Sequence, residues 1–286
     1  MSSPFPHPAA PGPMFPTEGA LVGVGAMPDP GHWGLNLGLA ALCAFLVRSA
    51  WKDLRRPERV PEDAGPDPRA RLFRDTIVSL WAAALLTVFG WLQAGGDLRS
   101  LGFVLLPGWG SWAAWAVAVL GSAFLVQQWR MVGRSESARD RYAIQVDQAT
   151  GFDWVRPTTA REYRLFKAMA LTAGITEEVV FRGFLIGALS LWIHPWLAAG
   201  LALVIFVGAH VYQGITGMVR ILPVSVVLTV LFMVSGSVLP GILLHATVDL
   251  AAGAIMWALR DRRGLSPGAG VSADGLAILV QAQVRL

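Results

Sequence analysis

Residues 168–192 read AMALTAGITEEVVFRGFLIGALSLW. The run exceeds the roughly 20 apolar residues that a helix needs to cross a bilayer. Glu177, Glu178 and Arg182 nevertheless lie inside it. Whether such a run sits in lipid or in a soluble core is decided by the rest of the chain. Of 286 residues, 54% are hydrophobic and 15% are charged, against about 25% charged in soluble domains. A soluble core cannot hide that much apolar surface. Six further apolar runs, near 33–51, 76–93, 111–129, 196–213, 219–236 and 238–259, complete a set of seven. The sequence therefore predicts an all-α membrane protein, a polytopic helical bundle of about seven transmembrane helices, with six to eight compatible because the turns near 193–196 and 236–238 are short.

The basic residues set the expected topology. There are none from 1 to 47, eight in 48–74, one in 94–110, eight in 130–167 and four in 260–286. Basic and non-basic segments alternate, as the positive-inside rule requires, which places the N-terminus outside and the C-terminus in the cytoplasm. The net charge of +4 thus reflects loops between spans rather than a nucleic-acid-binding face. Cys43 is the single cysteine, which excludes an intrachain disulfide and a cysteine-rich metal site. Residues 1–32 hold eight prolines and no Lys or Arg; they read as a disordered tail and not as a signal peptide. Segment 52–75, with Pro57, Pro61, Pro66 and Pro68, reads as an irregular loop, and a short surface helix is expected around 135–149. Thr159 and Glu162 have capping-box spacing, so the run at 168–192 is expected to begin earlier, with Gly174 as a bend. Residues 33–260 form the expected bundle, and 261–286 a C-terminal tail without assigned structure.

Away from loops and span ends the ionisable side chains are Glu177, Glu178, Arg182 and Asp249, joined by His210 and His245. Each charge costs about 2.5–3.5 kcal/mol on insertion scales, so such groups face the bundle interior and mark function. Glu178 and Arg182, four apart, share a helix face and can neutralise one another. Glu177 lies about 100° around the helix, without a dedicated cation, the kind of carboxyl that takes up and returns a proton. His245 and Asp249 are also four apart, and Phe206 lies one turn before His210. At 1.5 Å per residue, Glu177 is roughly 13 Å and Asp249 about 14 Å from the cytoplasmic edge, with both histidines within several Å of that level. Three antiparallel helices would thus bring six polar groups to one layer. The set has neither a G-x-S-x-G serine nor H-E-x-x-H. Glu and His can activate a water against a carbonyl with a histidine at the oxyanion, or Glu177, His210 and His245 can bind zinc with one open position.

Glu177-Glu178-Val179-Val180-Phe181-Arg182 resembles the E-E-x-x-x-R motif of the prenyl-CAAX endoprotease and bacteriocin-processing (CPBP) family of intramembrane proteases. Phe206-Val207-Gly208-Ala209-His210 is similar to its F-x-x-x-H motif, and His245-Ala246-Thr247-Val248-Asp249 to its H-x-x-x-N/D motif. All three stand in family order, one per apolar run, and the resemblance covers roughly 160–260, the expected catalytic core. It implies a glutamate-type peptide hydrolase without a cofactor. Glu177 would be the general base with His210 its partner, His245 and position 249 would stabilise the oxyanion, and Glu178 and Arg182 would order the site. Asp249 departs from the common Asn, which donates through its amide, whereas Asp donates only when protonated; it could instead orient His245 as an acceptor. The alternatives are a zinc-dependent intramembrane protease, a non-catalytic scaffold or immunity-type membrane protein, and a proton-coupled transporter, against which the lack of an inverted repeat speaks. The expected partners are membrane lipid and a peptide or membrane-protein substrate, in a cell membrane that is loosely bacterial in character.

Overall fold

The computed structural model describes residues 25–55, 57, 60–61, 65–147 and 154–261. Most of the expected Pro-rich tail and all but the first residue of the expected C-terminal tail lie outside the described residues, as do parts of the loop after residue 55. The described residues are helical: α1 Trp33–Leu54, α2 Pro68–Gln93, α3 Trp109–Arg134, α4 Glu136–Asp147, α5 Ala160–Glu177, α6 Pro195–Gly208, α7 Gly214–Ser235 and α8 Leu239–Ala258. α5 continues without a break into a π-helical segment, Glu178–Ile186, and a closing turn, Gly187–Leu189. Five helices are long and apolar enough to cross a membrane: α1, α2, α3, α7 with the turn before it, and α8. The protein is a multi-pass helical membrane protein.

Local chemistry accounts for the element boundaries. Thr159 caps α5 by accepting from the Glu162 N–H, and the Glu162 side chain returns the bond to the cap, so the capping box forms and the helix starts at Ala160. Pro68 opens α2 and Pro195 opens α6, positions where a missing N–H costs nothing. The surface helix expected around 135–149 is α4. Within the helices, five hydroxyls are satisfied by their own helix: Thr87, Thr176, Ser225, Thr229 and Ser235 all donate to a carbonyl one turn back. In lipid, where no water offers a partner, this internal bonding is what makes those residues tolerable. Outward faces carry large apolar side chains such as Leu85, Trp112, Val204 and Ile215, all exposed, as a lipid-facing surface requires.

Two expectations change. The run at 196–213 is not one helix. α6 ends at Gly208 and a 3-10 turn, Val211–Gln213, leads to Gly214, whose φ of 69° sends the chain into α7. Hydropathy gives no sign of this stop because Val211 and Tyr212 are themselves apolar. At 14 residues α6 spans about 21 Å, short of the roughly 30 Å hydrocarbon core. The irregularity expected at Gly174 falls instead at Glu178, where the π segment begins. Gly174 serves a close approach: a Cβ there would stand 2.7 Å from the Ala246 Cα of α8.

The π segment is the centre of the bundle. All nine of its residues are buried. Val180, Phe181, Phe184 and Ile186 pack with Leu35 and Leu42 of α1, Trp91 of α2, Ala202 and Phe206 of α6, and Phe232 of α7. The α1–α2 pair closes on it through glycines, since a Cβ on Gly34 would lie 2.8 Å from the Gly90 carbonyl, and one on Gly90 would strike the Gly34 carbonyl. Small residues of this kind let membrane helices pack by van der Waals contact. Gly90→Leu is therefore expected to separate α1 from α2 and cost about 1–3 kcal/mol, the range for overpacking. Thermal unfolding in detergent would detect it, and an unchanged melting temperature would show that the helices do not meet there.

Candidate active site

The three sequence motifs converge. Glu177 closes α5, Glu178 and Arg182 lie on the first turn of the π segment, His210 follows α6, and His245 and Asp249 project from α8. A π turn departs from the i→i−4 pattern and is frequent at functional sites. Here it keeps Glu178 and Arg182 paired while Glu177, one residue earlier, turns elsewhere.

The inner part of the site is one connected chain. Arg182 Nη1 donates to Glu178 Oε1 at 2.8 Å, and His245 Nδ1 meets the same oxygen at 2.8 Å. Since a carboxylate oxygen accepts, Nδ1 is the protonated nitrogen and the ring is fixed with Nε2 outward. Arg182 Nη2 donates to the Ser225 carbonyl of α7 at 3.3 Å, and the guanidinium lies 4.4 Å from the Phe206 ring centroid. Glu178 and Arg182 are fully buried. Glu178 Oε2, also buried, has no hydrogen-bond partner. It lies against Gly241 of α8, where a Cβ would be only 2.7 Å away. Gly241 is thus the residue that makes room for the carboxylate between the two helices.

The outer part faces a cavity of about 360 Å³ lined by Glu177, His210, His245 and Asp249. His245 Nε2 stands 3.7 Å from Glu177 Oε2 and 3.8 Å from Asp249 Oδ2. Both separations are too long for a direct hydrogen bond and leave a gap between the three groups. Glu177 retains 15% side-chain exposure against 1% for Glu178, so Glu177 is the carboxyl that reaches the cavity. His210 Nδ1 meets the Phe206 carbonyl at 2.8 Å. A carbonyl only accepts, so Nδ1 donates, and in the neutral ring Nε2 is left as an acceptor. Phe206 is the apolar hub, with its ring 4.7 Å from His210, 6.1 Å from His245 and 5.0 Å from Phe181.

All six sequence-predicted residues are therefore brought together, in two groups of unlike setting. The idea that Asp249 orients His245 is replaced: Glu178 holds the ring, at 2.8 Å, and Asp249 stands at 3.8 Å on its far side. Among the described residues no group of three or more His, Cys, Asp or Glu side chains stands at metal-ligand spacing. Sequence reasoning missed two contributions to the cavity. Arg48, Asp53, Asp75 and Thr76 of α1 and α2 line it, as do Tyr212 and Gln213. The only hint of the former was the polarity of both helix ends beside the loop at 52–75.

Residues 161–251 match the family model described as Rce1-like, type II CAAX prenyl endopeptidase. The likeness to CAAX proteases lies in this segment, about a third of the chain. The matched segment runs from the first turn of α5 into α8 and contains every residue of the two groups above. No curated protein and no solved structure matches the chain. α1 to α3 lie outside the matched segment, yet α1 and α2 help wall the cavity.

Arg182→Ala would leave Glu178 buried beside apolar side chains with its cation gone. Breaking one side of a buried pair costs about 3–5 kcal/mol, so the variant is expected to show lower expression and a lowered melting temperature. A fully stable Arg182→Ala protein would mean that the pair does not hold the bundle.

Proposed function

We propose that the protein is an intramembrane endopeptidase of glutamate type, which hydrolyses a peptide bond with a water activated by Glu177 and His210. The observation that carries this reading is the division of the six polar groups. Arg182 and Glu178 are sealed behind the site and fix His245, while Glu177, His210, His245 and Asp249 open on one cavity. An ion-pair network serving stability alone would have no need of that split.

The chemistry follows from the acceptors and donors. A water between Glu177 and the scissile carbonyl gives one proton to the Glu177 carboxylate and offers its second hydrogen to His210 Nε2. Its oxygen bonds to the carbonyl carbon, and the carbonyl electrons move onto oxygen. With both ring nitrogens protonated, His245 donates Nε2–H to that oxyanion while Nδ1–H stays with Glu178. Glu177 then passes its proton to the amide nitrogen as the C–N bond breaks, the ordinary return of a general base acting as acid. No metal enters these steps. The distribution of basic loops supports an N-terminus outside and a C-terminus in the cytoplasm. The substrate is a peptide or membrane-protein segment that reaches the bilayer, and the likeness of residues 161–251 to CAAX prenyl endopeptidases makes a prenylated CAAX tail the first probe.

With an internally quenched peptide carrying such a tail, Glu177→Gln is expected to lose cleavage by at least about 10²-fold, consistent with removal of a general base, and to keep the wild-type melting temperature. Near-normal turnover by purified Glu177→Gln would falsify the assignment and revive the scaffold reading. In the same assay chelators are expected to leave activity intact. Stoichiometric zinc in active enzyme, with activity lost on stripping and regained on adding metal, would instead establish the zinc-dependent alternative.

A further inference from the structure

The turn after α6 places a phenol beside the candidate catalytic groups. Tyr212 lines the same cavity as Glu177 and Asp249. Its ring lies 5.9 Å from that of His210, tilted by 32°. Its oxygen is already an acceptor: Gln213 Nε2 donates to it at 3.0 Å. Gly217, one turn into α7, makes room for that side chain: a Cβ there would strike Gln213 Cβ. No described residue accepts the hydrogen of Tyr212 itself. A phenol whose oxygen accepts one hydrogen bond becomes a better donor, because chained hydrogen bonds polarise one another.

The site also needs such a donor. His245 Nε2 is one. The other position that the family pattern supplies is Asp249, whose carboxylate can only accept, and which donates only in its acid form. We propose that Tyr212 is a further catalytic residue, its hydroxyl hydrogen-bonding the oxyanion and supplying the donation that an amide at position 249 would otherwise provide, with Gln213 as its positioning residue. This rests on the hydrolytic reading above.

The full-length enzyme and the quenched, prenylated peptide test it. Tyr212→Phe keeps the ring against His210 and removes only the hydroxyl. It is expected to lower kcat by about 10- to 10²-fold, below the 10²–10³ for a sole oxyanion donor, with little change in KM. Gln213→Met, which leaves Tyr212 in place, should fall several-fold in the same direction. The decisive measurement is rescue. Adding Asp249→Asn to Tyr212→Phe is expected to restore most of the lost kcat, because the new amide supplies a donor, whereas a structural role for the phenol would not be mended from α8. Tyr212→Phe with wild-type kcat, or with a loss that Asp249→Asn leaves untouched, overturns the proposal, provided Glu177→Gln is inactive in the same assay. If Glu177→Gln cleaves normally, the hydrolytic reading fails first and takes this one with it.

Discussion

A guanidinium and a carboxylate cannot be placed in the interior of a membrane bundle unless each satisfies the other, and the Arg182–Glu178 pair is the constraint around which this molecule is arranged. Its demands reach four elements. Glu178 Oε1 takes Arg182 and His245 together, the guanidinium takes a carbonyl from α7, and Phe206 of α6 covers its face. Each helix that carries a motif residue is therefore also a helix that neutralises or covers the pair. The bundle cannot assemble around the charge without assembling the candidate site.

Close packing completes the arrangement. Gly241 admits the Glu178 carboxyl against α8, and Gly174 lets α5 and α8 touch a few residues from His245. A methyl group at Gly174 would meet the Ala246 backbone and push α5 from α8, and one at Gly241 would displace the Glu178 carboxyl. Lipid does not squeeze membrane helices together as water does soluble ones, so such contacts must come from complementary surfaces. α1 and α2 use the same device at Gly34 and Gly90, and their reward is the far wall of the cavity.

Much of this was legible in the residues. The apolar runs announced helices at the right places, and the capping box at Thr159 and Glu162 announced the early start of α5. Buried charges four apart announced the ion pair, because a charge in lipid has few solutions. The parts that stayed hidden share a cause. The π segment differs from an α-helix only in hydrogen-bond register, which side-chain pattern does not encode. The stop of α6 at Gly208 has no proline beside it, only His210 and Gln213 within an otherwise apolar run. Spacing along one helix offers His245 only Asp249 as an orienting partner, whereas its bond is to Glu178 on another, 67 positions away. Pairings of that kind depend on how helices dock, and spacing within a single run is blind to them. Tyr212 went unnoticed because a tyrosine at the end of an apolar run reads as an interfacial anchor.

The recessed setting of Glu177, its side chain 15% exposed, carries a demand on any substrate of the proposed reaction. In an α-helix each backbone carbonyl is bonded to the N–H four residues on, so a peptide bond would be presented to Glu177 by an unwound stretch of chain. Inside a bilayer, unwinding strips N–H and C=O groups of their partners at a cost of several kcal/mol for each. Chain ends, and segments already broken by proline or glycine, unravel at least expense. Selectivity would then reside less in the identity of the side chains beside the scissile bond than in how readily the surrounding helix comes undone.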